Sequence, residues 1–126
     1  MARAQVLFVD DNPAFLRTME RVARERFDVV TAASGTEALN LIRGGRRFDA
    51  IICDLWMPGL DGQAFYEEIL QHARPQADRV IFTSGGGLPP KLQSFANARR
   101  TLPKPFSADD LFEAVDRVIE RGLEKP

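Results

Sequence analysis

Five short apolar runs, each followed by turn residues and then by residues at helical spacing, constrain this chain more than any other feature. They are Val6 to Val9, Val29 to Thr31, Ala50 to Cys53, Val80 to Thr83 and a weaker run at Thr101-Leu102. β-branched and aromatic residues dominate them, which suits strands. Between the first two, Asn12-Pro13 reads as a helix start, and Phe15, Leu16, Met19, Val22 and Ala23 fall on one face at intervals of three and four. Strands alternating with helices require right-handed crossovers and a parallel sheet covered on both sides. The reading is therefore α/β: a single doubly wound five-stranded parallel sheet with helices on both faces.

Local signals place the other helices. Ser34-Gly35-Thr36-Glu37 is a capping-box pattern, and Gly44-Gly45 ends the helix that it starts. Asp61 is a candidate N-cap for a helix carrying Phe65, Ile69 and Leu70. Ser107 can cap a last helix with Leu111, Phe112, Val115, Val118 and Ile119 inward and Asp109 and Asp110 at its positive end. Ser84 to Arg100 is irregular, because Gly85-Gly86-Gly87 is poor helix material and Pro89-Pro90 can only begin a helix. About two turns remain for a short fourth helix, with Leu92 and Phe95 facing inward. Pro103 lacks an N–H, which assigns its strand to a sheet edge.

At 126 residues the chain suffices for one domain with one core, expected over about 4–121, with 122–126 as a frayed tail. Seventeen basic against eighteen acidic residues give no electrostatic case for nucleic-acid or membrane-surface binding. The Arg43, Arg46 and Arg47 patch reads as a solvated helix end. No apolar stretch approaches the roughly 20 residues of a membrane span, and a single cysteine, Cys53, permits no internal disulfide. The start shows no signal-peptide pattern, so a cytoplasmic setting is the expectation. His72, the only histidine, reads as a surface residue near a helix end.

The ends of the runs carry the chemistry. Asp10 and Asp11 close the first, Asp54 closes the third, Thr83 ends the fourth and Lys104 follows the fifth. In open α/β sheets ligands gather at the carboxyl ends of strands, so these residues are expected to share one site. Three carboxylates there would repel strongly; Lys104 and a divalent cation together would neutralise them. Hard oxygen ligands suit Mg²⁺. Such a metal invites a phosphoryl group, for which the Thr83 hydroxyl and the N–H groups of Ser84-Gly85 are candidate partners. Asp54 is the best nucleophile, since a loop follows it, whereas Asp10 and Asp11 are better placed to hold metal. The product would be an aspartyl phosphate.

With these residues in view, the chain resembles the receiver domains of two-component response regulators. The motifs are Val9-Asp10-Asp11-Asn12, Asp54-Leu55-Trp56-Met57-Pro58-Gly59-Leu60-Asp61-Gly62, Thr83-Ser84-Gly85 and Lys104-Pro105-Phe106, in order across essentially the whole chain. The resemblance implies a flavodoxin-like sheet of order 2-1-3-4-5. It implies Mg²⁺ held by Asp10, Asp11, Asp54 and the backbone carbonyl of Trp56, with Asp54 as phosphoacceptor and Thr83 and Lys104 on the phosphoryl group. It also implies a cis bond at Lys104-Pro105.

Its implied partners are a sensor histidine kinase or phosphotransfer protein, as donor to Asp54, and an output protein of unspecified identity, with homodimerisation left open. Catalysis would be limited to self-catalysed phosphotransfer and autodephosphorylation at Asp54. Members of the family commonly carry an aromatic three residues before the active-site lysine, where this chain has Thr101. Two rival readings are a haloacid-dehalogenase-like phosphatase and a phosphorylation-independent pseudo-receiver acting as a protein-binding module. The first expects its nucleophile in the first strand motif, with a second aspartate two positions later, and the chain reads Asp10-Asp11-Asn12 there.

Overall fold

Continuous apolar strands can be buried on both faces only when helices cover the sheet on each side, and each strand here meets that condition to a different degree. A computed structural model of the chain describes residues 3–124. The strands are β1 (Gln5–Val9), β2 (Asp28–Ala32), β3 (Ala50–Asp54), β4 (Val80–Ser84) and β5 (Thr101–Pro103). All pairings are parallel and the order is β2-β1-β3-β4-β5. Every residue of the central β3 is buried, whereas the edge strands β2 and β5 are partly open. Pro103 does lie in an edge strand.

The helices are α1 (Pro13–Ala23), α2 (Gly35–Arg43), α3 (Gly62–His72), α4 (Arg74–Ala77), α5 (Pro90–Asn97) and α6 (Ala108–Glu124). Side chains alternate along the strands, so two cores form. Val6, Phe8, Ile52 and Ile81 pack with Leu16, Met19 and Ala23 of α1 and Leu111, Val115 and Val118 of α6. On the other face Leu7, Val9, Ile51, Cys53 and Phe82 pack with α2, α3, α4 and α5 through Leu39, Ile42, Phe65, Ile69, Ala77 and Phe95.

The helix starts follow the expected capping chemistry. Asn12 Oδ1 accepts from the N–H groups of Ala14 and Phe15, Asp61 from Ala64, and Ser107 Oγ from Asp110. Ser34 Oγ accepts from Glu37, but the Glu37 carboxylate reaches past the cap to the Ala33 N–H at 3.1 Å. The arginine patch is tied to the end of α2: Arg47 donates to the Ile42 carbonyl, and Arg43 pairs with Glu68. His72 is exposed and also lies beside Glu68, at 3.3 Å.

Three details go beyond what the local sequence signals indicate. The segment after α3 forms the additional short helix α4, which Pro75 permits because it sits in the first turn. The last helix extends past Arg121 to Glu124, Gly122 costing only about 1 kcal/mol within a helix; residues 125 and 126 lie outside the described residues. Phe106 is half-buried, its ring meeting Phe15 edge-to-face at 6.0 Å on the rim of the core. The short helix expected after the glycines is α5, with Leu92 and Phe95 buried as expected. Among the described residues no helix is long and apolar enough to cross a membrane.

Candidate functional site

Parallel pairing sets the site. Asp10 follows β1, Asp54 ends β3 opposite Thr83 of β4, and Lys104 follows β5, so all four reach the same end of the sheet. The backbone anchors them there: the Asp10 N–H donates to Ala32, the Leu55 N–H to Thr83 and the Lys104 N–H to Ser84. Lys104-Pro105 is cis. Gly62 lets α3 approach this end closely, because a Cβ there would come within 2.9 Å of both the Asp54 carbonyl oxygen and Leu55 Cα.

Asp10, Asp11 and Asp54 each offer a carboxylate oxygen, and these atoms lie within 4.8 Å of one another. Asp10 and Asp54 are buried while Asp11 is exposed. The Lys104 ammonium donates to Asp10 Oδ2 at 2.6 Å and stands 3.7 Å from Asp54 Oδ2. Asp10 Oδ1 accepts from the Asn12 N–H at 2.9 Å, so both of its oxygens are engaged. The remaining negative charge is carried by Asp11 and Asp54. Burial raises the Asp54 carboxyl from 3.8 to about 6; Lys104 opposes this, Asp10 adds to it, and the Trp56 N–H opposes it again.

This donor set fits a hard divalent cation: three carboxylates offer oxygens within 4.8 Å of one another, and the exposed Asp11 leaves one side open to water. Thr83 Oγ1 is buried without a protein partner, which leaves its hydroxyl free for a group entering the site. A cleft of about 260 Å³ opens above, lined by Asp54, Trp56, Ser84, Gly85, Gly86, Leu88 and Lys104. Ser84 Oγ is already engaged by the Gly86 N–H at 3.1 Å, so the Gly85 N–H is the freer donor of that turn. The Trp56 side chain is 55% exposed at the cleft mouth and does not pack into the loop. Cys53 points into the core, its thiol pushed up by burial and then by Asp54.

Two contributors escaped the sequence reading. Phe15 lies under the Lys104 ammonium at 4.2 Å, a cation–π contact that steadies it beside Asp10. The Asn12 backbone N–H restrains Asp10 while the Asn12 side chain caps α1. Phe15 lies four residues beyond Asp11, one turn into α1; helical phase alone places it near the site, but its partner is 89 positions away in sequence. At the position of the customary aromatic, Thr101 is exposed on the edge of the sheet.

Residues 6–116 match the family model described as "Response regulator receiver domain". The chain is 33% identical over 121 residues, 94% of its length, to the transcriptional regulatory protein GlrR of Escherichia coli K12, and 32% identical over 93% of its length to the transcriptional activator PfeR of Pseudomonas aeruginosa. It spans only 27% and 38% of those proteins. Among solved structures, a response regulator receiver domain protein from Clostridium thermocellum superposes with a TM-score of 0.81 at 30% identity, covering 94% of this chain and 95% of that one. The receiver domain of the sensor histidine kinase PA1611 from Pseudomonas aeruginosa, with a magnesium ion coordinated in its active site cleft, superposes at 0.78 with 27% identity over 94% and 99% of the two chains.

Proposed function

Since the chain belongs to the response regulator receiver domain family of two-component systems, we propose that it takes a phosphoryl group onto Asp54 from the phosphohistidine of a sensor kinase or phosphotransfer protein. The observation that carries this reading is the meeting of Asp10, Asp11 and Asp54 with Lys104 and the unpartnered hydroxyl of Thr83 at one mouth of the sheet.

Asp10, Asp11, Asp54 and the Trp56 carbonyl would hold Mg²⁺, which supplies positive charge opposite the transferring oxygens. Asp54 acts as the carboxylate: one of its oxygens forms the new bond to phosphorus as the donor's N–P bond breaks, and the imidazole leaves with that electron pair. Above its pKa of about 6 the nucleophile is ionised. Thr83 then donates its hydroxyl to a phosphoryl oxygen, and Lys104 moves from Asp10 toward the added charge. Hydrolysis reverses the modification: water attacks phosphorus, the P–O bond to Asp54 breaks, and inorganic phosphate departs. No other catalysis is assigned.

Output follows from altered protein contacts around the cleft, with a partner protein or a second copy of the chain as recipient. A pseudo-receiver that only binds proteins has no use for this constellation, and no feature of the cleft favours it. The deciding experiment exposes wild type and Asp54→Asn to phosphorylated kinase with Mg²⁺ and separates base-labile acyl phosphate from the acid-labile, base-stable phosphohistidine of the donor. Wild type is expected to carry base-labile phosphate and the variant none; equal labelling would sink the assignment.

A further inference from the structure

At the opposite end of the sheet from Asp54, four arginines converge. A cavity of about 580 Å³ is lined by Arg74, Asp78, Arg79, Arg100, Arg121 and Gly122, with Pro75 beside them. Arg79 immediately precedes β4 and Arg100 immediately precedes β5. Arg74 belongs to α4 and Arg121 to the last turns of α6. Among the described residues, four arginines and one aspartate therefore line a single hollow. Such convergence is costly in like-charge repulsion unless a counter-charge enters.

Part of the cluster has a structural task. Arg100 donates to the Asp78 carbonyl at 2.9 Å and Arg79 to the Asp49 carbonyl at 3.3 Å. These bonds use two donors of the roughly 20 that four guanidiniums possess. Arg100 Nε is buried with no partner. Burial and then the neighbouring Arg121 lower the Arg100 pKa, in keeping with a cation held in a crowded cationic setting. Gly122 makes room for this: a Cβ at that position would fall within 2.3 Å of three guanidinium atoms of Arg79. The exposed Arg74 and Arg121 complete the rim.

We propose that this cavity binds a small anion carrying two or more phosphoryl groups. Guanidinium forks match phosphoryl oxygens in pairs. A single monoanion could not offset four guanidiniums against the one carboxylate of Asp78, whereas an oligophosphate brings several charges and many acceptor oxygens in a volume that suits the hollow. The cavity lies at the amino-terminal ends of β4 and β5, and Asp54, Thr83 and Lys104 at the carboxyl-terminal ends, so occupancy needs no phosphoryl transfer at Asp54.

The test is titration of the wild-type chain with tripolyphosphate at low salt and without Mg²⁺, followed by calorimetry and by backbone amide shifts. Saturable binding is expected, with the largest shifts at 74–79, 99–101 and 120–122. Arg74→Ala/Arg121→Ala, whose side chains are exposed, should keep the wild-type circular dichroism spectrum and lose at least tenfold in affinity. Asp54→Asn should bind tripolyphosphate like wild type. Absence of saturable binding, unchanged affinity in the double variant, shifts centred on 54 and 83–86, or equal affinity for citrate would each overturn the proposal.

Discussion

Lys104 is bonded to Asp10 at 2.6 Å and stands 3.7 Å from Asp54, so its ammonium neutralises Asp10 first and Asp54 only in part. A divalent cation held at this cluster would therefore compete with Lys104 for Asp10. Lys104→Ala is expected to tighten Mg²⁺ binding about tenfold, roughly 1.4 kcal/mol, while reducing Asp54 labelling. Calorimetric titration with Mg²⁺ measures the first effect; weaker binding in the variant would contradict the competition.

The raised pKa of Asp54 makes stability depend on pH. Its carboxyl sits at about 6 in the fold against 3.8 unfolded, chiefly through burial. The native state therefore binds the proton more tightly, and the group's favourable contribution, full below about pH 4, is lost as pH rises through 6. In metal-free buffer Asp54→Asn should exceed wild type in stability by on the order of 2 kcal/mol at pH 7.5, with the gap closing toward pH 4. Urea unfolding at both pH values checks the sign. A gap independent of pH would count against it.

Thr83 carries a buried hydroxyl that nothing in the protein satisfies. Replacing it with the isosteric Val should cost less than about 1 kcal/mol or even stabilise, since an unmet buried hydroxyl is itself unfavourable. The same change should weaken beryllofluoride binding at least tenfold, read from Trp56 fluorescence at the cleft mouth. A severely destabilised Thr83→Val would show that the hydroxyl has a structural partner after all.

Gln76 ties the chain together away from the cleft. Its side chain accepts from the Phe48 N–H at 2.8 Å and donates to the Phe48 carbonyl at 3.1 Å, as a strand neighbour would. Gln76→Leu should cost about 2 to 4 kcal/mol, because it strands two buried backbone groups. Thermal and urea unfolding measure the loss; a change below 1 kcal/mol would mean that water replaces the amide.

How much of this was readable in the sequence depended on whether the signal was local. The caps at Asn12, Asp61 and Ser107, the five strands and the short α5 were legible because each is written within a few residues. The meeting of Asp10, Asp54, Thr83 and Lys104 was legible because parallel strands deliver their carboxyl ends to one end of the sheet. Gln76 was not, since a glutamine after Pro75 carries no sign of a partner 28 positions earlier. Phe15 under Lys104 and the convergence of Arg74, Arg79, Arg100 and Arg121 were hidden for the same reason. The charge of the whole chain, nearly balanced, conceals this local cluster of arginines.

The rings of Tyr66, Phe82 and Phe95 meet edge-to-face at 5.2 to 5.9 Å, and Arg99 lies 3.9 Å from the Phe95 centroid. They fasten α5 to α3 and β4, while the left-handed Gly86 and Gly87 tether its other end to the cleft. The two ends of α5 are therefore held differently: glycines beside Asp54 lead into it, and a cluster of three rings packs its far end. Trimming Phe95 should loosen the attachment of α5 to α3 and β4 while leaving the carboxylate cluster around Asp54 in place.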